Sequence, residues 1–196
     1  PNFASFWSLY SVAIAILSTL AASLYPALLA SRLVTPSYKR KFEIPTKPHG
    51  KNWDIPLPFV CEPELILGVL WYLKEYFEEF ATDIERGDFI VKDLTFFEIK
   101  KENIKGLRFH TRLKPYEAGI TQVTELIAFI PPDEERYHFR LSITRISGDE
   151  NQWKYSNHAF VGAIRGQLLT WRGLSPSEKI KYAKMAEKNL KRSEDK

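Results

Sequence analysis

The first 31 residues, Pro1 to Ser31, contain no charged side chain, and Arg32, Lys39, Arg40 and Lys41 follow directly. This contrast restricts the chain more than any other feature. A helix rises about 1.5 Å per residue, so roughly 20 apolar residues span a hydrocarbon core of about 30 Å. Phe6 to Leu29 is built from Trp, Leu, Val, Ile, Ala and Tyr, diluted by Ser and Thr, whose hydroxyls can bond back to the carbonyls of their own helix. Residues 1–33 therefore read as a transmembrane helix. A secretory signal peptide would carry a basic start and a shorter apolar core, and this segment has neither.

Orientation follows from the basic residues. Arg32, Lys39, Arg40, Lys41, Lys47 and Lys51 lie just beyond the apolar run against one acid, Glu43, and the N-terminal flank has no charge. The positive-inside bias places the following domain in the cytoplasm of a membrane-anchored chain. Lys39, Arg40 and Lys41 also lie where anionic headgroups attract basic side chains, at about 1 kcal/mol each. The chain opens on Pro1 without an initiator Met, as expected of a piece of a longer polypeptide.

Within the apolar segment, Ser11, Ala15, Thr19 and Ser23 recur every fourth position and share one helix face, with Ser18 and Ala22 beside it. Small residues let another helix approach closely in lipid, where packing and not hydrophobicity drives association. Pro26 should kink or loosen the last turns.

Residues 34–60 read as a basic, proline-rich linker. Pro36, Pro45, Pro48, Pro56 and Pro58, with Pro63 just beyond, rule out a continuing helix. Trp53, Ile55, Leu57 and Phe59 alternate, so the second half is expected to dock on the folded domain. That domain, residues 61–192, is long enough to bury a core of its own. Its first helix keeps the 3.6-residue period through Ile66, Val69, Leu70, Leu73, Phe77, Phe80 and Ile84, with Gly87 as its stop.

Four strands are expected next. Phe89–Ile99 loses its alternation near Lys92–Asp93, the mark of a bulge. Leu107–Leu113 alternates cleanly, Gln122–Ile130 halts at Pro131–Pro132, and Tyr137–Thr144 alternates up to the turn at Gly148–Asp149. A helix over about Ser156–Arg172 follows. Ser175-Pro176-Ser177-Glu178 then supplies an N-cap, a proline at the first helical position and an acid three residues on. The fold class is α+β: one N-terminal transmembrane helix, then a helix, four-stranded antiparallel sheet and helix sandwich with one sheet face covered.

Chemistry is sparse. The single cysteine, Cys61, excludes an intrachain disulfide and has no histidine near it in sequence. No HxH, HExxH, CxxC, GxSxG, GxGxxG or phosphate-binding GxxxxGK[ST] occurs, so no metal, cofactor or ATP loop is expected, and no catalytic residue stands out. Glu78–Glu79 and Glu134–Glu135 read as solvated charge. Arg108, His110, Arg112, Arg140 and Arg145, with Phe96–Phe97, outline a basic sheet face loosely like that of sheet-based RNA readers. The net charge of +4 is modest and no reader consensus is present, so no nucleic-acid partner is expected.

The run Ala22-Ser23-Leu24-Tyr25-Pro26-Ala27-Leu28-Leu29-Ala30-Ser31-Arg32-Leu33 resembles the end of the last membrane helix in FtsX-like (MacB/LolE-type) ABC transporter permeases. Tyr25, Pro26, Ala27, Ala30, Ser31, Arg32 and Leu33 carry the match. The family commonly stops after a Pro-Val-Glu-Ala-Leu-Arg-like tail. This chain instead reads Pro36-Ser37-Tyr38-Lys39-Arg40-Lys41 and continues, and its proline-rich linker and Leu168-Leu169-Thr170-Trp171-Arg172-Gly173-Leu174-Ser175-Pro176 stretch resemble a C-terminal extension found on some archaeal-type members. The resemblance implies the closing helix and cytoplasmic tail of a permease subunit: a non-catalytic part packed on the remaining permease helices and served by a separate ATPase subunit. The competing expectation is a single-span, membrane-tethered module that binds an apolar or lipid ligand between helix and sheet.

Overall fold

The computed structural model describes residues 7, 10–19, 22, 43–80 and 87–194. The chain divides into two compact units, residues 1–41 and 42–196. In the first, residues 10–19 are helical and their side chains exposed. The Ser18 and Thr19 hydroxyls both donate to the Ala15 carbonyl, at 2.9 and 2.7 Å, the local bond that lets hydroxyls sit in an apolar helix. Among the described residues no helix is long and apolar enough to cross a membrane. Half of the Phe6–Leu29 segment lies outside them, including Ser23, Tyr25, Pro26 and Ala27, as do Arg32, Lys39, Arg40 and Lys41.

The second unit is α+β. Its strands are β1 (Asn52–Cys61), β2 (Phe89–Ile99), β3 (Ile104–Leu113), β4 (Thr121–Phe129) and β5 (Tyr137–Ser147); its helices are α1 (Ile66–Glu79), α2 (Glu150–Gly173) and α3 (Pro176–Glu194). The sheet is antiparallel throughout, in the order β1-β5-β4-β3-β2. Five strands replace the expected four. The extra one, β1, occupies what the sequence presents as the end of the linker. Its burial alternates perfectly, with Trp53, Ile55, Leu57, Phe59 and Cys61 turned inward. Pro56 and Pro58 argue against a central strand, but β1 is an edge, where a missing N–H can face solvent without cost.

The bulge falls where the alternation breaks: the β2–β3 register shifts between Lys92 and Thr95, and Asp93 takes φ = 54°. The helix α2 begins six residues earlier than expected. Asp149 caps it, its Oδ1 accepting from the Asn151 and Gln152 amides at 2.9 and 3.0 Å. At the start of α3 the Ser175–Glu178 capping box forms in both directions: the Ser175 amide donates to Glu178 Oε2 at 2.9 Å, and the Glu178 amide donates to Ser175 Oγ at 3.3 Å.

One face of the sheet carries the core. Phe77, Phe89, Phe109, Trp153, Phe160, Leu70 and Leu73 fill the space between strands and helices, each under 2 % exposed. The helix α3 packs on α1, where Gly68 permits the approach: a Cβ there would lie 3.0 Å from the Ala183 backbone nitrogen and 3.1 Å from the Trp171 ring. Tyr72, Trp171 and Tyr182 join the three helices through ring contacts of 5.4–5.9 Å. Among the described residues, every buried hydrophobic side chain lies between Trp53 and Ala186, so this unit contains a complete core of its own.

A polar cluster is embedded in that core. The Trp153 indole N–H donates to Gln122 Oε1 at 2.7 Å. The amides of Gln122 and Asn157 bond to each other, and the hydroxyls of Thr111 and Thr124 lie 3.1 Å apart. All of these groups are at most 2 % exposed, and their mutual satisfaction is what makes them tolerable inside.

Candidate interaction surface

Among the described residues of this unit no helix covers the opposite face of the sheet, and the strand register shows what that face presents. One row crosses the sheet as Phe97, Gly106, Ile127, Arg140 and Pro56. The next runs Thr95, Arg108, Glu125, Ser142 and Asp54, and a third Lys92, His110, Val123, Thr144 and Asn52. Gly106 is required in the first row, because a Cβ there would strike the Leu126 carbonyl and the Phe97 ring, 2.4 and 2.6 Å away. With no side chain at 106, Phe97 lies across the strand and Ile127 is covered to 8 % exposure.

Two arginines frame this apolar strip. The Arg108 guanidinium lies 5.7 Å from the Phe97 ring centre, and its Nε bonds Glu125 Oε1 at 2.6 Å. Arg140 lies 5.5 Å from the Phe129 ring centre. Stacking of this kind holds a planar cation against an apolar surface while leaving its edge free to donate. His110 Nδ1 is 3.3 Å from Asp93 Oδ2, and His138 bonds Glu134. Among the described residues, no carboxylate pairs with Lys92 or Arg140, while Glu125 and Asp93 each have a cationic or imidazole partner.

The expected basic face is therefore partly assembled. Arg108, His110, Arg112, Arg140 and Phe97 share it. Arg145 and Phe96 do not: Arg145 lies over Trp153 at 5.6 Å and near Glu150 at 3.5 Å, and Phe96 packs against the core. The register shift between Lys92 and Thr95 is what turns Phe97 outward and Phe96 inward. Phe129 and Ile127 complete the face. Their outward position depends on the β3–β4–β5 register, which the local sequence does not display.

A second exposed surface belongs to α3. Tyr182, Ala183 and Ala186 turn toward the rest of the domain, and Ser177, Ile180, Lys181, Lys184, Met185 and Lys188 line a shallow depression of about 360 Å³ on the other side. Ile180 is 49 % exposed.

Burial, reinforced by neighbouring Glu62, pushes the Cys61 thiol up to about 12, so it carries almost no thiolate at neutral pH. Among the described residues no group of three or more His, Cys, Asp or Glu side chains is placed to hold a metal ion. Of the small-residue stripe expected from the sequence, Ser11, Ala15 and Thr19 fall on the described helical stretch 10–19 at spacings of four, and Ser23 lies outside the described residues. No protein-family model matches this chain, and no characterised protein matches it either.

Proposed function

We propose that the chain is the non-catalytic C-terminal portion of an FtsX-like ABC permease subunit. In this reading residues 1–33 form the last membrane span, and the domain from residue 43 onward binds or regulates the cytoplasmic machinery. One observation carries it: 31 uncharged residues, closing on the Tyr25-Pro26-Ala27 to Ser31 run, give way to the basic residues Arg32, Lys39, Arg40 and Lys41. The form of the domain agrees. One sheet face is closed by helices, the other offers an apolar strip framed by stacked arginines, and its cysteine is buried. These are features of a surface that binds and not of a pocket that reacts. The alternative of an apolar ligand between helix and sheet is less favoured, because Phe77, Phe109, Phe160 and Trp153 occupy that layer.

Protease protection tests the arrangement. In inverted membrane vesicles the domain is digested, and in right-side-out vesicles it is protected. Digestion in right-side-out vesicles, or a full chain that stays soluble and monomeric without detergent, overturns the proposal. Copurification of an ABC-type ATPase from native membranes supports the assignment to a permease.

A further inference from the structure

The helix α3 is more basic than the rest of the domain requires. It carries six Lys or Arg residues against three Glu. Glu178 is committed to the Ser175 cap, and Lys179 turns back to donate to the Arg172 carbonyl at 3.0 Å. Lys181, Lys184 and Lys188 recur at spacings of three and four on the side that lines the depression, and no acid lies among the residues lining it. Ile180 and Met185 sit between these lysines, Ile180 about half exposed. Gly68, Ala183 and Ala186 press the opposite side of the helix against the domain, so this stripe is held outward.

A stripe of lysines with apolar side chains among them matches an anionic membrane surface. Headgroup phosphates meet the ammonium groups, and the isoleucine and methionine enter the boundary between headgroups and acyl chains. We infer that α3 docks on anionic lipid through Lys181, Ile180, Lys184, Met185 and Lys188. The inference rests on the membrane-anchored reading above: about 20 residues separate Ser31 from β1, so the tether keeps the domain within about 70 Å of the bilayer. Docking of α3 then fixes which side of the domain faces the lipid and leaves the bare sheet face available to a protein partner.

The unit from residue 43 onward has its own core, so it can be tested without the apolar segment. It is expected to sediment with vesicles of phosphatidylcholine containing about one third phosphatidylglycerol, and not with pure phosphatidylcholine. Binding should weaken as salt is raised. The exposed triple variant K181Q/K184Q/K188Q should lose about a hundredfold in affinity, at roughly fivefold per lysine. Ile180→Ser should lower affinity without changing the salt dependence. Circular dichroism confirms that each variant is folded. Equal binding to neutral vesicles, or an unchanged triple variant, overturns the inference. So does polyglutamate that competes as well as the anionic vesicles, which assigns the stripe to an acidic protein. If the isolated domain fails to bind while the full chain remains an integral membrane protein with a protected tail, lipid docking falls and the permease reading stands.

Discussion

The side-chain amides of Gln122 and Asn157 bond reciprocally: Gln122 Nε2 donates to Asn157 Oδ1 at 3.1 Å, and Asn157 Nδ2 donates to Gln122 Oε1 at 3.0 Å. One residue lies on β4 and the other on α2, both fully buried, so the pair fixes where the helix sits along the sheet. Asn157→Ala leaves Gln122 Nε2 with only a long 3.4 Å contact to Thr124, an orphaned buried donor costing about 2 kcal/mol. Urea denaturation should show that loss, with the double variant Q122L/N157L less destabilised than the sum of the singles. The coupling is expected at about 1 kcal/mol or more; strict additivity would mean the two amides act independently.

The helix pair α1–α3 is sensitive at one position. Gly68 faces the Ala183 backbone, which cannot rotate away as a side chain can. Gly68→Val should destabilise by about 1–3 kcal/mol and open residues 176–194 to limited proteolysis before the sheet unfolds. Gly68→Ala should be milder, because its helix-propensity gain of about 1 kcal/mol offsets part of the crowding.

Stability should fall in acid for a reason readable at the helix starts. Asp149 is held below its ordinary pKa chiefly by the Gln152 amide, Glu150 by its bond to Lys154, and Glu178 by its bond to Ser175. A lowered folded pKa contributes stability that is complete above the unfolded value and disappears as pH drops through the folded one. The urea midpoint should therefore hold steady down to about pH 5 and decline between about pH 4 and pH 2. In D149N/E178Q the decline should be shallower. An identical pH profile in that variant would remove the caps from the explanation.

Cys61 should be chemically silent in the folded protein. With its thiol near 12, only about one molecule in ten thousand carries thiolate at pH 8. A thiol-reactive dye should label the native domain very slowly and the urea-unfolded chain completely. Rapid native labelling would show that β1 opens at its C-terminal end.

Much of this architecture is legible in the residues. The break at Lys92–Asp93 gives the bulge, the alternations of Leu107–Leu113 and Tyr137–Ile143 give two central strands, and Ser175–Glu178 gives the start of α3. Three features escape for physical reasons. Pro56 and Pro58 disguise β1, because a rule against proline in strands holds for central strands and lapses at edges. The first turns of α2 are polar except for the buried Trp153 and the exposed Tyr155, so hydrophobic period finds only its later part. The strand β4 buries Gln122 and Thr124 and leaves Val123 only partly covered on the other face, so an apolar pattern alone turns it the wrong way. The bare face is legible in its arginines but not in Phe129 or Ile127, whose placement depends on pairing between distant segments.

The prolines of β1 also bear on how copies of this domain meet. Positions 56 and 58 have no amide hydrogen to offer, so a neighbour's backbone finds alternate rungs missing along that border. Crowded copies cannot zip together into one continuous ribbon from there. Any strand-to-strand joining between molecules would have to begin at the far border, beside the aromatic residues of β2.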